Sequence, residues 1–224
     1  MKMTMKMKIF HGDSALADMY LSRVQSHYDA DEIIKGTYWE NGKGCAVGCT
    51  IHSNNHKDYE TLIGLPEGVA RLQDRIFENL PDAAAKEFPL QFIKACHKST
   101  GKVSDDITKK FFVWLLTEEL AHIYEKQCAS YKSAIEKCVK AISDGVFNNT
   151  AADNVAAPSY DARAASYAAR AVALYAADAV SYAADAVSYA ARADAATYAV
   201  RGAYAADFWV RIANKLISII EELK

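Results

Sequence analysis

The densest chemistry in the chain lies in Gly44-Cys45-Ala46-Val47-Gly48-Cys49-Thr50-Ile51-His52-Ser53-Asn54-Asn55-His56. Cys45, Cys49, His52 and His56 are side chains of the kinds that zinc takes in structural sites, thiolate sulfur and imidazole nitrogen. Their order, Cys-x3-Cys-x2-His-x3-His, lacks the long stretch that separates the ligand pairs of a zinc finger. On one straight helix all four would share a face, with the outer two about 16 Å apart along the axis. Ligand bonds of about 2.0–2.3 Å cannot span that. A site for zinc, the cofactor these residue types imply, therefore needs a loop wrapped at Gly44 and Gly48, or ligands from His11, Cys96 or His97. Two other states use the same residues. Cys45 or Cys49 could act as nucleophile with His52 or His56 as base, the pattern of a Cys/His enzyme or redox protein. The plainest state is buried thiols with hydrogen-bonded imidazoles. Glu119-Leu120-Ala121-His122 has the Glu-x-x-His spacing of carboxylate-bridged iron sites, but one copy without partner glutamates makes no site. No catalytic residue is assigned.

Bulk properties narrow the classes. The 224 residues, 51% of them hydrophobic, suffice for one domain or two small ones with a real core. A net charge of −2 gives no basic field, so nucleic acid is unsupported as a partner. No apolar run approaches the roughly 20 residues of a membrane span. Met1-Lys2-Met3-Thr4-Met5-Lys6-Met7-Lys8 carries the charge of a secretion signal without its apolar core, so the expected location is cytoplasmic. Cys45, Cys49, Cys96, Cys128 and Cys138 make an odd set in a long chain, which predicts reduced thiols.

The elements that must position these residues are helical. Asp13 or Ser14 can cap a helix toward His27 with Leu16, Met19, Leu21 and Val24 inward. A second short helix is expected over 29–35, ending at Gly36, before a turn-rich stretch from Thr37 to Gly44. Pro66 opens a helix through Leu80 with Val69, Leu72, Ile76 and Phe77 at helical spacing. Pro81 opens the next, which Pro89 should kink or divide. Ser104-Asp105-Asp106 starts another, backed by Ile107, Phe111, Trp114 and Leu115. A further helix is expected from Ala129 to Asp144. The only candidate strand is Met7–Phe10. The predicted class is all-α, with a helical globular domain over 1–147, a linker over 148–157 and a long alanine-rich helix over 158–224.

That last helix carries a tyrosine stripe. Tyr160, Tyr167, Tyr175, Tyr182 and Tyr189 recur at steps of 7, 8, 7 and 7 residues, followed by Tyr198 and Tyr204. The mean of about 3.6 residues per turn is that of a straight α-helix. Each tyrosine has a charge three residues on, from Arg163 to Asp207, so a charged stripe flanks the aromatic one. Alanine lets another backbone approach closely, and tyrosine then supplies the buried area. Unbroken, such a helix runs about 65 residues and about 100 Å, so it bends at Gly202 or projects. Packing on its own domain or in a homodimer is the ordinary use of this pattern; a face for a protein partner, centred on Tyr167, Tyr175, Tyr182, Tyr189 and Tyr198, is the functional one. An ice-binding face would want threonine-like groups where this repeat has tyrosine.

The segments "IFHGD", "GKGCAVGCTIH" with "HKDYE", and "LPEGVARLQDRIFENLP" resemble an uncharacterised family of bacterial and prophage proteins, whose tails are similarly alanine-rich. That resemblance spans most of residues 9–95 and implies no activity. The tail is more loosely similar to predicted all-α immunity proteins encoded beside bacterial toxins, which implies a neutralising binder. Together these readings predict a non-enzymatic, protein-binding chain of bacterial or phage origin, with counter-defence (anti-CRISPR-like) or toxin immunity as its setting. The alternative is the Cys/His enzyme or zinc protein above.

Overall fold

A computed structural model describes residues 6–119 and 198–224, with Glu136, Val139 and Lys140 between them. The described chain is all-α apart from one two-stranded hairpin. Residues 1–108 and 209–224 form one compact unit, and 109–208 a second.

In the first unit, α1 (Ser14–Asp29) begins where the Asp13 carboxylate accepts the backbone N–H groups of Ala15 and Leu16, at 2.8 and 3.2 Å. That cap satisfies donors a helix start otherwise leaves unpaired. Its buried face is Ala17, Tyr20, Val24 and His27, rotated from the expected one. Met19 is exposed and Leu16 and Leu21 only half-buried. Tyr20 decides this rotation, because its ring stacks on buried Phe10 at 5.9 Å and an aromatic buries more area than Met or Leu.

The helix expected over 29–35 does not form. Asp31 takes a left-handed φ of 56°, and the next residues pair with Gly44: the Ile34 N–H donates to the Gly44 carbonyl at 2.8 Å, and the Gly44 N–H to the Glu32 carbonyl at 3.1 Å. Met7–Phe10 is likewise no strand of its own. Lys8 makes a single bridge to Val103, and Ile9–Gly12 is a tight 3-10 turn with Phe10 and His11 at positive φ.

The hairpin joins β1 (Trp39–Glu40) to β2 (Lys43–Gly44). Helices α2 (Ala46–Ile51) and α3 (Asp58–Ile63) follow, then α4 (Glu67–Asn79) and α5 (Asp82–Lys98). Pro66 and Pro81 stand just before α4 and α5 with Glu67 and Asp82 in the first turns, where acid suits the helix dipole. Val69, Leu72, Ile76 and Phe77 are buried on α4 as their spacing predicts. Pro89 does not divide α5. The helix runs on through it because Ala85, Phe88 and Leu90, Phe92, Ile93 bury on both sides of the proline, which outweighs one lost backbone bond. Helix α5 is the platform, packing against α1 and α4.

The chain returns to this unit at its end. Ile212, Leu216 and Ile220 are fully buried in α7 (Tyr198–Glu221, numbered after α6, Ile107–Trp114). The Ser99 hydroxyl donates to the Ile220 carbonyl at 2.8 Å, and Lys98 pairs with Glu221 at 2.9 Å. In the second unit, Phe111, Phe112, Leu115 and Leu116 are buried, and a π-helical turn spans Leu115–Glu119. The helix expected over Ala129–Asp144 falls, apart from the three residues named, outside the described ones. So do Tyr167, Tyr175, Tyr182 and Tyr189, together with the side chain of Tyr198. Among the described residues no helix is long and apolar enough to cross a membrane.

Candidate functional site

The Cys/His segment is organised by a close backbone crossing. Asn41 and Gly42 both have positive φ, 51° and 82°, the pair of conformations that a two-residue Asn-Gly hairpin turn demands. The turn lays Tyr38 and Trp39 across the start of α2. There the Cys45 N–H donates to the Tyr38 carbonyl at 3.0 Å. A β-carbon added at Gly44 would lie 2.0 Å from that carbonyl oxygen, and at Gly48 1.7 Å. Neither glycine has a positive φ, so it is space and not backbone conformation that excludes a side chain. The two glycines of the motif exist so that the Tyr38 backbone can rest on α2.

Successive residues of an extended segment point to opposite sides, and Tyr38 and Trp39 accordingly head two separate clusters. On the Trp39 side, the indole stacks on the His52 ring at 4.2 Å with an 11° tilt, and meets the edge of His27 at 5.4 Å. His27, in the last turn of α1, has Nδ1 2.7 Å from Glu32 Oε2 and Nε2 2.8 Å from His52 Nε2. A carboxylate accepts only, so Nδ1 of His27 carries the proton; its Nε2 is then the acceptor and His52 Nε2–H the donor. His52 closes α2 in the left-handed conformation, φ 52° and ψ 43°, which swings its imidazole toward His27. Arg23 reaches the Thr50 carbonyl at 3.1 Å and fastens the end of α2 to α1. Burial, and then the Arg23 guanidinium, hold the His52 imidazole below its ordinary pKa.

On the Tyr38 side, the phenol ring meets the edge of His56 at 5.3 Å. His56 Nε2 lies 3.3 Å from Asp74 Oδ2, but off the line of a hydrogen bond, so this buried nitrogen has no hydrogen-bond partner among the described residues. Burial first, and the nearby Asp74 carboxylate second, push up the Tyr38 phenol and the Cys45 thiol.

The thiols face the backbone. Cys45 stands at the N-cap of α2 and its sulfur accepts the Gly48 N–H at 3.4 Å. The Cys49 thiol donates to the Gly44 carbonyl at 3.3 Å, and its burial pushes the pKa up to about 12. Such groups are protonated near neutral pH and are poor nucleophiles. Cys96 is a free buried thiol on α5.

The four residues whose types suggested one ligand set are thus parted. Cys45 and His56 lie near Asp74, Cys49 holds a carbonyl, and His52 pairs with His27. His11 meets the Thr61 carbonyl at 3.0 Å and His97 meets Asp18 at 2.7 Å, so neither joins the cluster. Among the described residues no group of three or more His, Cys, Asp or Glu side chains stands ready to hold a metal ion. The residues that complete the two clusters, His27, Glu32, Tyr38, Trp39 and Asp74, were missed from sequence. Asn41-Gly42 was the available signal, since it predicts a hairpin that must bring Tyr38 and Trp39 back onto Gly44.

No protein-family model, no curated protein and no solved structure matches this chain.

Proposed function

We propose that the chain is a non-enzymatic binding protein that engages another protein, and that the Tyr38 face is part of the surface it uses. The observation that carries this is a rigidly held aromatic presented to solvent. Tyr38 is 48% exposed, yet its backbone is clamped on α2 by Gly44, Gly48 and Cys45. Only Met19, Ile34 and Tyr38 are exposed large hydrophobics among the described residues, and two of the three sit in the segment that enters the hairpin. A half-exposed tyrosine on a held backbone is suited to be an interface anchor, because little backbone entropy remains to be lost on binding. The sealed thiols weigh against nucleophilic chemistry.

The alanine-rich segment carrying Tyr167, Tyr175, Tyr182, Tyr189 and Tyr198 is a second candidate contact, on its sequence pattern alone. Counter-defence and toxin immunity in bacteria or their phages are the settings to test first. The experiment is capture from a host extract with the wild-type chain and with Tyr38→Ala, followed by reassembly from purified components. A purified partner that binds the wild type and binds Tyr38→Ala at least about tenfold more weakly supports the reading. Equal binding by both would remove Tyr38 from the interface, and turnover of a small substrate abolished by Cys45→Ser would replace the reading with an enzymatic one.

A further inference from the structure

We propose that His27 and His52 form a two-histidine site for a divalent transition metal ion of the zinc type, with Glu32 as its outer carboxylate. The proposal does not depend on the protein-binding reading. Two imidazole Nε2 atoms meet head-on at 2.8 Å. One proton lies between them, with the N–H of His52 and the lone pair of His27 directed along the line that joins the two nitrogens. A zinc ion holding both at about 2.0–2.1 Å in tetrahedral geometry spaces them roughly 3.3 Å apart. Seating the ion therefore asks for an opening of about half an ångström, for the His52 proton to pass through water to its own Nδ1, and for each imidazole to turn by roughly 35° so that both lone pairs converge on the metal.

Three features prepare the pair. Glu32 accepts a hydrogen bond from the Nδ1–H of His27 at 2.7 Å, which fixes the tautomer with Nε2 free to donate electrons, the outer arrangement that metal-bound histidines use. Trp39 stacks flat on His52 and the left-handed end of α2 aims it, so the second imidazole is ordered. His27 is 9% exposed while the His52 ring lies at the surface. One ligand is anchored and the remaining coordination positions face water. Imidazole selects ions of the zinc, nickel and copper class over magnesium or calcium, which want oxygen. With two protein ligands and water completing the shell, the site belongs to the weaker, exchangeable kind.

The test titrates zinc into the full-length, metal-free protein against a chromophoric chelator. His52→Asn is the principal variant, because asparagine accepts the left-handed conformation but offers no imidazole. Wild type should take up zinc, His52→Asn should bind at least about tenfold more weakly, and Glu32→Gln should lose roughly ten- to a hundredfold. Circular dichroism and the unfolding midpoint establish that each variant is folded. Imidazole nitrogen shifts of His27 and His52 should move on zinc addition. The proposal fails if folded His52→Asn binds zinc as the wild type does, or if the wild type binds none.

Discussion

The carbonyl oxygen of Tyr38 lies so close to Gly48 that a single β-carbon there would sit 1.7 Å away. The contact is backbone to backbone, with no flexible side chain able to yield, and it separates the Trp39 cluster from the Tyr38 cluster.

Gly48→Ala should cost more than the 1–3 kcal/mol typical of an added core methylene, about 3 kcal/mol or above. Gly42→Ala, whose methyl meets nothing within 4 Å, should cost only the left-handed strain, about 1–2 kcal/mol. Urea unfolding of the two variants checks the order.

Cys45→Ser should unfold within about 1 kcal/mol of the wild type, since serine is a preferred N-cap and can still accept the Gly48 N–H. Cys45→Val keeps the bulk but leaves that buried donor without an acceptor, costing roughly 1–3 kcal/mol. A larger loss in the serine variant would contradict the capping role.

The thiols set an alkaline limit. Burial raises Cys49 from 9.0 to about 12, so over that interval the unfolded chain has already lost a proton that the folded one keeps. The contribution is complete below pH 9.0 and is lost as pH rises toward about 12. Unfolding midpoints should fall above pH 9, and Cys49→Ala should flatten the fall. In the native state Cys45, Cys49 and Cys96, all buried, should react with an aromatic disulfide reagent far more slowly than after denaturation.

The chain end should matter to the first unit. Leu216 is fully buried, so Leu216→Ala should cost about 2–5 kcal/mol. Ser99→Ala, which removes the 2.8 Å bond to the Ile220 carbonyl, should cost about 1 kcal/mol. Thermal unfolding followed by circular dichroism reads both.

By itself the sequence determined the helical class and the elements with strong local signals. Asp13 capped α1, Pro66 and Pro81 opened α4 and α5, and the 3.6-residue spacing named the buried face of α4, because these effects act within one turn of chain. Only the tertiary structure decided where the Cys/His segment points. Its thiols turn to the backbone, Cys45 to the Gly48 N–H and Cys49 to the Gly44 carbonyl, at the crossing of Tyr38 over α2. His52 finds His27, and His56 and Cys45 lie near Asp74, through contacts 18 to 29 positions apart in the chain. Side-chain type told which atoms could bind one another; chain crossing, fixed by two glycines without side chains, chose the partners.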